Sequence, residues 1–178
     1  MKVKLYKPFE HYKSPVWLYS DTHFEDSDCP LMDPEWPDPD EQVKMMNSCV
    51  GRCDTLIILG DIGNPEYLKK LRGYKVLILG NHDKGITNYE PYVDEIYDGP
   101  LFISNKILLS HEPIDLPFGI NIHGHNHSGE IIDRDNEDFF SYNVCSNVVG
   151  YKPVRLDEIV SLYKVKDIHR LTIDKIIS

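Results

Sequence analysis

Residues 55–64 read Thr55-Leu56-Ile57-Ile58-Leu59-Gly60-Asp61-Ile62-Gly63-Asn64. A nearly unbroken apolar, β-branched run predicts a strand buried on both faces, and the glycine-rich polar cluster ends it abruptly. The same pattern recurs on either side. Val16-Trp17-Leu18-Tyr19 stops at Ser20-Asp21-Thr22-His23, and Lys75-Val76-Leu77-Ile78-Leu79 stops at Gly80-Asn81-His82-Asp83. Further on, Ile107-Leu108-Leu109 stops at Ser110-His111-Glu112-Pro113, and Gly119-Ile120-Asn121-Ile122 at His123-Gly124-His125-Asn126-His127. Each run has strand length and each closes on ionisable or amide side chains.

Helical periodicity fills the gaps in the first half. Pro39 to Cys53 carries Val43, Met46, Cys49 and Val50 at helical spacing, with Asp38 or Asp40 near its start. Pro65 can open a second helix that runs through Leu68 and Leu71 to a stop at Gly73. Alternation of strand and helix predicts parallel pairing there, whereas the short turns between Val93 and Val144 predict an antiparallel or mixed half. Leu156, Ile159, Val160 and Tyr163 share a helical face within Val154–Lys164, and the tail after Val165 has a mixed pattern without assignment. Eight of the seventeen residues from Glu25 to Glu41 are Asp or Glu, with Pro30, Pro34, Pro37 and Pro39 among them. That stretch reads as a loop, either a solvated excursion or a lid beside a site.

The chain has 178 residues, which suits one domain spanning 1–178 with a motif core of about 16–160. With 19 Lys+Arg against 29 Asp+Glu its net charge is −10, and no basic run exceeds Lys69-Lys70. A nucleic-acid surface is therefore not expected, since phosphate neutralisation needs a basic face. No apolar stretch reaches the length of a membrane helix, and residues 1–20 lack the apolar core of a signal peptide, so a cytoplasmic protein is expected. Cys29, Cys49, Cys53 and Cys145 form no Cys-x-x-Cys pair and read as reduced core thiols, with Cys49 and Cys53 spaced for one helix face.

The strand ends together hold Asp21, His23, Asp61, Asn81, His82, His111, His125 and His127. Carboxyl ends of strands in an α/β sheet converge on a crevice where ligands bind. On an extended segment residues i and i+2 face the same way, so Asp21 with His23, and His125 with His127, can each grip one ion. The spacing of His123, His125 and His127 leaves either adjacent pair open as ligands. Carboxylate, imidazole and amide oxygen together suit manganese, iron(II) or zinc, and the absence of thiolates argues against a structural zinc site. His11 and His169 sit in no motif and read as surface or packing residues.

Asp21-Thr22-His23, Gly60-Asp61-Ile62-Gly63-Asn64, Gly80-Asn81-His82-Asp83, His111 and Gly124-His125-Asn126-His127 together resemble the successive motifs of the calcineurin-like metallophosphoesterases. The resemblance runs from about Val16 to His127. Asn143-Val144 to Ile159 is similar to the C-terminal part of small prokaryotic and phage phosphoesterases of that superfamily. The resemblance implies an α/β fold, a four-layer αββα sandwich of two mixed β-sheets flanked by helices. It also implies two divalent metal ions, with manganese, iron, zinc or nickel as the candidates. Asp21, His23, Asp61 and His127 would hold one ion and Asp61, Asn81, His111 and His125 the other, with Asp61 bridging. It selects His125 and His127 over His123. His82 would contact the phosphoryl group without ligating metal, and Asp83 would orient His82.

The implied activity is hydrolysis of a phosphomonoester or phosphodiester by a metal-bridging hydroxide, assisted by His82. The substrate would be a small phosphate ester, with nucleotides among the candidates. Two other readings share the motifs. One is a protein-binding module on the same fold, a class that typically loses part of the ligand set. The other is a nuclease of the superfamily, which would want a basic groove or an accessory domain. Trp36, Tyr89 and Tyr92 are available to stack on a leaving group.

Overall fold

In a computed structural model of the protein, residues 4–12, 15–136 and 138–163 are described; the tail after Val165, with His169, lies outside them. Strands β1 (Val16–Tyr19), β2 (Thr55–Ile58), β3 (Tyr74–Ile78) and β4 (Glu95–Tyr97) pair in parallel in that order. A second sheet is built from β5 (Leu101–Ser104), β6 (Ile107–Leu109), β7 (Gly119–His123), β8 (Ile132–Asp135) and β9 (Phe139–Asn143), in the order β5-β6-β7-β9-β8. Its centre, β6-β7-β9, is parallel and its two edges are antiparallel. The short β10 (Val154–Arg155) returns antiparallel to β1 and completes the first sheet. Two mixed sheets with a few helices is the expected α/β sandwich.

Period-two alternation explains how β1 to β3 serve two cores. Leu18, Ile57, Leu59, Val76 and Ile78 face the second sheet and pack with Ile103, Ile107, Leu109, Ile120, Ile122, Phe140 and Tyr142. Tyr19, Leu56, Ile58 and Leu77 point the other way, onto helix α2 (Pro39–Cys49) and the 3-10 helix Pro65–Lys70, which contribute Val43, Met46 and Leu68. Both faces of these strands are buried, which is why their sequence lacks polar alternation.

Local chemistry shortens three predicted elements. Asp38 caps α2 by accepting the Glu41 N–H, but the helix stops at Cys49 instead of Cys53. The Asp54 carboxylate accepts the Gly51 N–H and closes a turn there, which removes Cys53 from the helix and leaves it exposed. Only Cys29 and Cys145 of the four thiols are buried. The segment opened by Pro65 is 3-10 instead of α and ends before Leu71. In the expected loop Glu25–Glu41, a one-turn helix α1 (Cys29–Met32) forms, and α2 begins at Pro39. Leu156, Ile159, Val160 and Tyr163 are buried together on a helix over 156–163, but Val154 and Arg155 belong to β10. Among the described residues, no helix is long and apolar enough to cross a membrane.

Candidate metal centre

The carboxyl ends of β1, β2, β3, β6 and β7 meet at one edge of the sandwich, where the sheets are tied by a bridge between Ser20 and Cys145. Past the end of β1 the ladder continues irregularly: the Asp21 N–H donates to the Gly60 carbonyl and the His23 N–H to the Asp61 carbonyl, both at 3.0 Å. Asp21, His23, Asp61 and His125 all have left-handed backbones, with φ of 57°, 43°, 52° and 65°. Left-handed geometry costs a non-glycine residue roughly 1–2 kcal/mol, and such strain collects at functional sites. Gly60, with φ of 87°, lies so close to Gly80 that a side chain at Gly60 would strike its backbone.

Two groups of potential ligand atoms form at this edge: Asp21, His23 and His127, and Asp61, His111 and His125. Both carboxylates follow one plan. Asp21 Oδ2 accepts the His125 N–H at 2.9 Å, leaving Oδ1 facing His127 Nε2 at 3.5 Å and His23 Nε2 at 3.9 Å. Asp61 Oδ1 accepts the His82 N–H at 3.0 Å, leaving Oδ2 facing His111 Nε2 at 3.4 Å and His23 Nε2 at 3.8 Å. Asp61 Oδ2 therefore lies between the two groups. Asn81 Oδ1 is 2.8 Å from His111 Nε2, and His125 Nδ1 is 3.2 Å from the same nitrogen. All seven expected ligands are gathered here.

The outward nitrogens of three imidazoles are held by acceptors. His23 Nδ1 faces Asp26 Oδ2 at 3.3 Å, His111 Nδ1 the Leu59 carbonyl at 2.8 Å, and His127 Nδ1 the Asn147 Oδ1 at 3.2 Å. An acceptor at Nδ1 keeps the proton there and turns the Nε2 lone pair inward, an arrangement common around metal ligands. Asp21 Oδ1 and His23 Nε2 are buried with no hydrogen-bond partner among the described residues. Buried polar atoms are rarely left so, and a divalent cation fits between these two. Four nitrogen and oxygen ligands around Asp61, without thiolate, match the borderline metals.

Electrostatics follows the same geometry. Burial pushes the Asp61 carboxyl up, but the hydrogen bond and charge of His111, the His82 N–H and the His23 charge outweigh it and hold the group below the usual carboxylate range. Burial disfavours the charged form of His111, yet the Asp61 hydrogen bond, the Asp21 and Asp61 charges and the Leu59 carbonyl raise it to about 9. The proton favoured on His111 Nε2 faces Asn81 Oδ1 at 2.8 Å and Asp61 Oδ2 at 3.4 Å. Burial lowers the His127 imidazole.

Two expectations need correction. His125 and His127 do not fall in one group as the i, i+2 spacing allowed: His125, whose backbone is left-handed, joins Asp61 and His111 and His127 joins Asp21 and His23, the division that the family resemblance implies. Asp83 does not reach for the His82 ring: Oδ2 accepts the Asp61 and Gly80 N–H groups and Oδ1 the Ile62 N–H, so it staples the ligand loops together. Asn147 and Cys145 were missed. Asn147 holds both ends of His127, donating through Nδ2 to its carbonyl at 2.8 Å, and Cys145 Sγ lies 3.2 Å from His127 Nδ1. They sit in the stretch after Asn143, but no motif chemistry marks them. His123 stays beneath the centre, with Nδ1 on the Gly124 carbonyl and Nε2 3.2 Å from Asp133 Oδ2. His11 is far from it, paired with Glu95.

The sequence and fold have counterparts elsewhere. No protein-family model matches the chain. It is 30% identical over 172 residues to the uncharacterized protein MJ1445 of Methanocaldococcus jannaschii, covering 83% of this chain and 90% of that one. The crystal structure of the protein of unknown function AQ665 from Aquifex aeolicus superposes with a TM-score of 0.67 at 26% identity, covering 83% of this chain and 98% of that one. The shared length and identity place the chain in one family with the uncharacterized protein MJ1445.

Proposed function

We propose that the protein is a dinuclear-metal phosphoesterase of the calcineurin-like type. The observation that carries this reading is the matched pair of carboxylates, Asp21 and Asp61: each has one oxygen fixed by a backbone N–H and the other turned toward imidazoles, with Asp61 Oδ2 between the two groups. Asp21, His23 and His127 would hold one ion, Asn81, His111 and His125 the other, and Asp61 both. When bound, two divalent ions supply Lewis acidity toward phosphate oxygens and an acidified water at neutral pH.

The chain's own groups would do the rest. His82 is exposed and lines the same cavity as His23, Asp61, His125 and His127, with its ring centroid 5.8 Å from that of His23. Water adds to phosphorus, the bond to the ester oxygen breaks, and His82 delivers a proton to that departing oxygen. The Asn81 amide contributes an oxygen without charge, which leaves more of the cations' field for the anionic substrate. Asp83 acts one step back, fixing the loops that carry Asp61 and Asn81.

The test is a hydrolysis screen of phosphomonoesters and phosphodiesters with metal-stripped protein to which manganese, nickel, iron(II), zinc or magnesium is returned singly. Two ions per chain and metal-dependent release of the alcohol are expected. Two ions with no hydrolysis of any ester would leave a binding module, and fewer than two would remove the dinuclear centre.

A further inference from the structure

The cavity that contains His82 and His125 has a volume of about 390 Å³, within the ~300–1,000 Å³ of small-molecule sites. Its remaining lining includes Asp26, Asp28, Leu31 and Met32, all from the acidic segment that precedes α2. Leu31 is 83% exposed. A single exposed leucine ordinarily calls for no explanation. This one shares a cavity with the residue proposed to protonate the leaving group, and Met32 lines it alongside.

The segment that presents these two side chains is fastened at several points. The Cys29 thiol is buried and donates to the His23 carbonyl at 3.5 Å. Asp33 accepts from the Tyr151 hydroxyl and from the Glu35 N–H. The Trp36 ring lies 6.0 Å from His23, 5.7 Å from His127 and 5.5 Å from Tyr151, measured between centroids. Leu31 and Met32 thus sit on a segment tied to His23 through Cys29 and to Tyr151 through Asp33, and the Leu31 side chain stands in water until something covers it. Asp26 and Asp28 add negative charge on the same side, which disfavours a second anionic group there.

Resting on the phosphoesterase reading, we infer that the substrate is the phosphate ester of an uncharged, apolar alcohol whose hydrocarbon part lies on Leu31 and Met32. The acidic segment then selects by chemistry: hydrocarbon is accepted and polyanions are turned away. A neighbouring groove of about 630 Å³ shares His23, Asp26 and His82 and holds Glu25, Lys84 and Asn88; Lys84 is the cation there that an anionic substituent would seek instead.

Alkylphosphonates test this without a leaving group to confuse binding with chemistry. The probes are methyl-, propyl-, hexyl- and 2-carboxyethylphosphonate, titrated by calorimetry into the manganese-loaded full chain. A fully buried methylene is worth about fourfold in affinity. On a one-sided wall, hexylphosphonate is expected to bind at least about tenfold tighter than methylphosphonate. The double variant Leu31→Ser, Met32→Ser should erase most of that ratio, with manganese content and the thermal transition as folding controls. The carboxyethyl compound should bind no tighter than propylphosphonate. Equal affinity for hexyl- and methylphosphonate overturns the inference, as does an undiminished ratio in the folded double variant. Tighter binding of the carboxyethyl compound that disappears in Lys84→Ala overturns it in favour of an anionic substituent. If no phosphonate binds protein carrying two manganese ions, the phosphoesterase reading itself falls.

Discussion

Asp61 Oδ1 accepts the backbone N–H of His82 at 3.0 Å, while the other oxygen of the same carboxylate faces His111. The residue proposed to join the ions therefore also fixes the start of the loop proposed to protonate the leaving group. Charge and position are set by one side chain.

Asp61→Asn tests the first half of that statement. Loss of the shared negative charge leaves two cations facing each other with less compensation, so manganese content should fall from two per chain to one or fewer and ester hydrolysis should collapse. Elemental analysis beside a turnover assay is the measurement. Two retained ions with near-native turnover would disprove the bridging role.

His82→Ala separates chemistry from binding. The hydrogen bond that His82 gives to Asp61 comes from its backbone, which alanine keeps, so two ions should remain. The rate constant kcat should drop by about 10²–10⁴-fold, as for loss of a general acid. The loss should be larger for an alkyl ester than for p-nitrophenyl phosphate, whose leaving group needs little protonation. Loss of metal in this variant would place His82 among the ligands instead.

The raised His111 imidazole predicts proton release on metal binding. Its value of about 9 exceeds the ordinary 6.5, so in metal-free protein the charged form is favoured by folding. That stabilisation is fully present below about pH 6.5 and is lost as pH rises through about 9. A metal at Nε2 must displace the proton, so at about pH 7.5 close to one proton should leave with the ion bound at His111, and affinity should climb with pH until about 9. Calorimetry in buffers of different ionisation enthalpy counts the protons. Zero release would mean that His111 is neutral or does not bind.

Asn147→Leu probes the support behind His127. The amide that keeps the Nδ1 proton in place and clasps the His127 carbonyl would be gone. Affinity for the ion held by Asp21, His23 and His127 should weaken by about 10–100-fold, as for loss of other ligand-supporting partners. The ion at Asp61, His111 and His125 should keep its affinity. A two-site metal titration distinguishes them, and equal weakening at both would indicate general loosening of the fold.

Strands and candidate ligands were legible in the sequence for the same reason. Leu56 to Leu59 lie in a sheet covered on both faces, so burial left an unbroken apolar run, and Asp61 and Asn81 sit immediately past the ends of such runs. The division of the candidate ligands into these two groups was legible only through the family resemblance. The i, i+2 argument assumed an extended backbone at His125, and a left-handed residue without glycine leaves no mark in composition. Asn147 and Cys145 reach His127 across 20 and 18 positions of chain, a separation at which local pattern carries no information. The one-turn helix α1 was lost among prolines and acids because four residues cannot display a period.

The Ser20–Cys145 bridge has a thermodynamic meaning of its own. Asp21, His23, Asp61 and Asn81 come from the first sheet, and His111, His125 and His127 from the second, so an ion at either position is a cross-link over the seam. Opening the sandwich would then release the ions, and folding becomes linked to the free metal concentration. At one hundred times the dissociation constant, each such ion adds about 2.7 kcal/mol to stability. A chelator should therefore lower the melting temperature of the whole domain, and the supply of free metal would set how long this protein lasts.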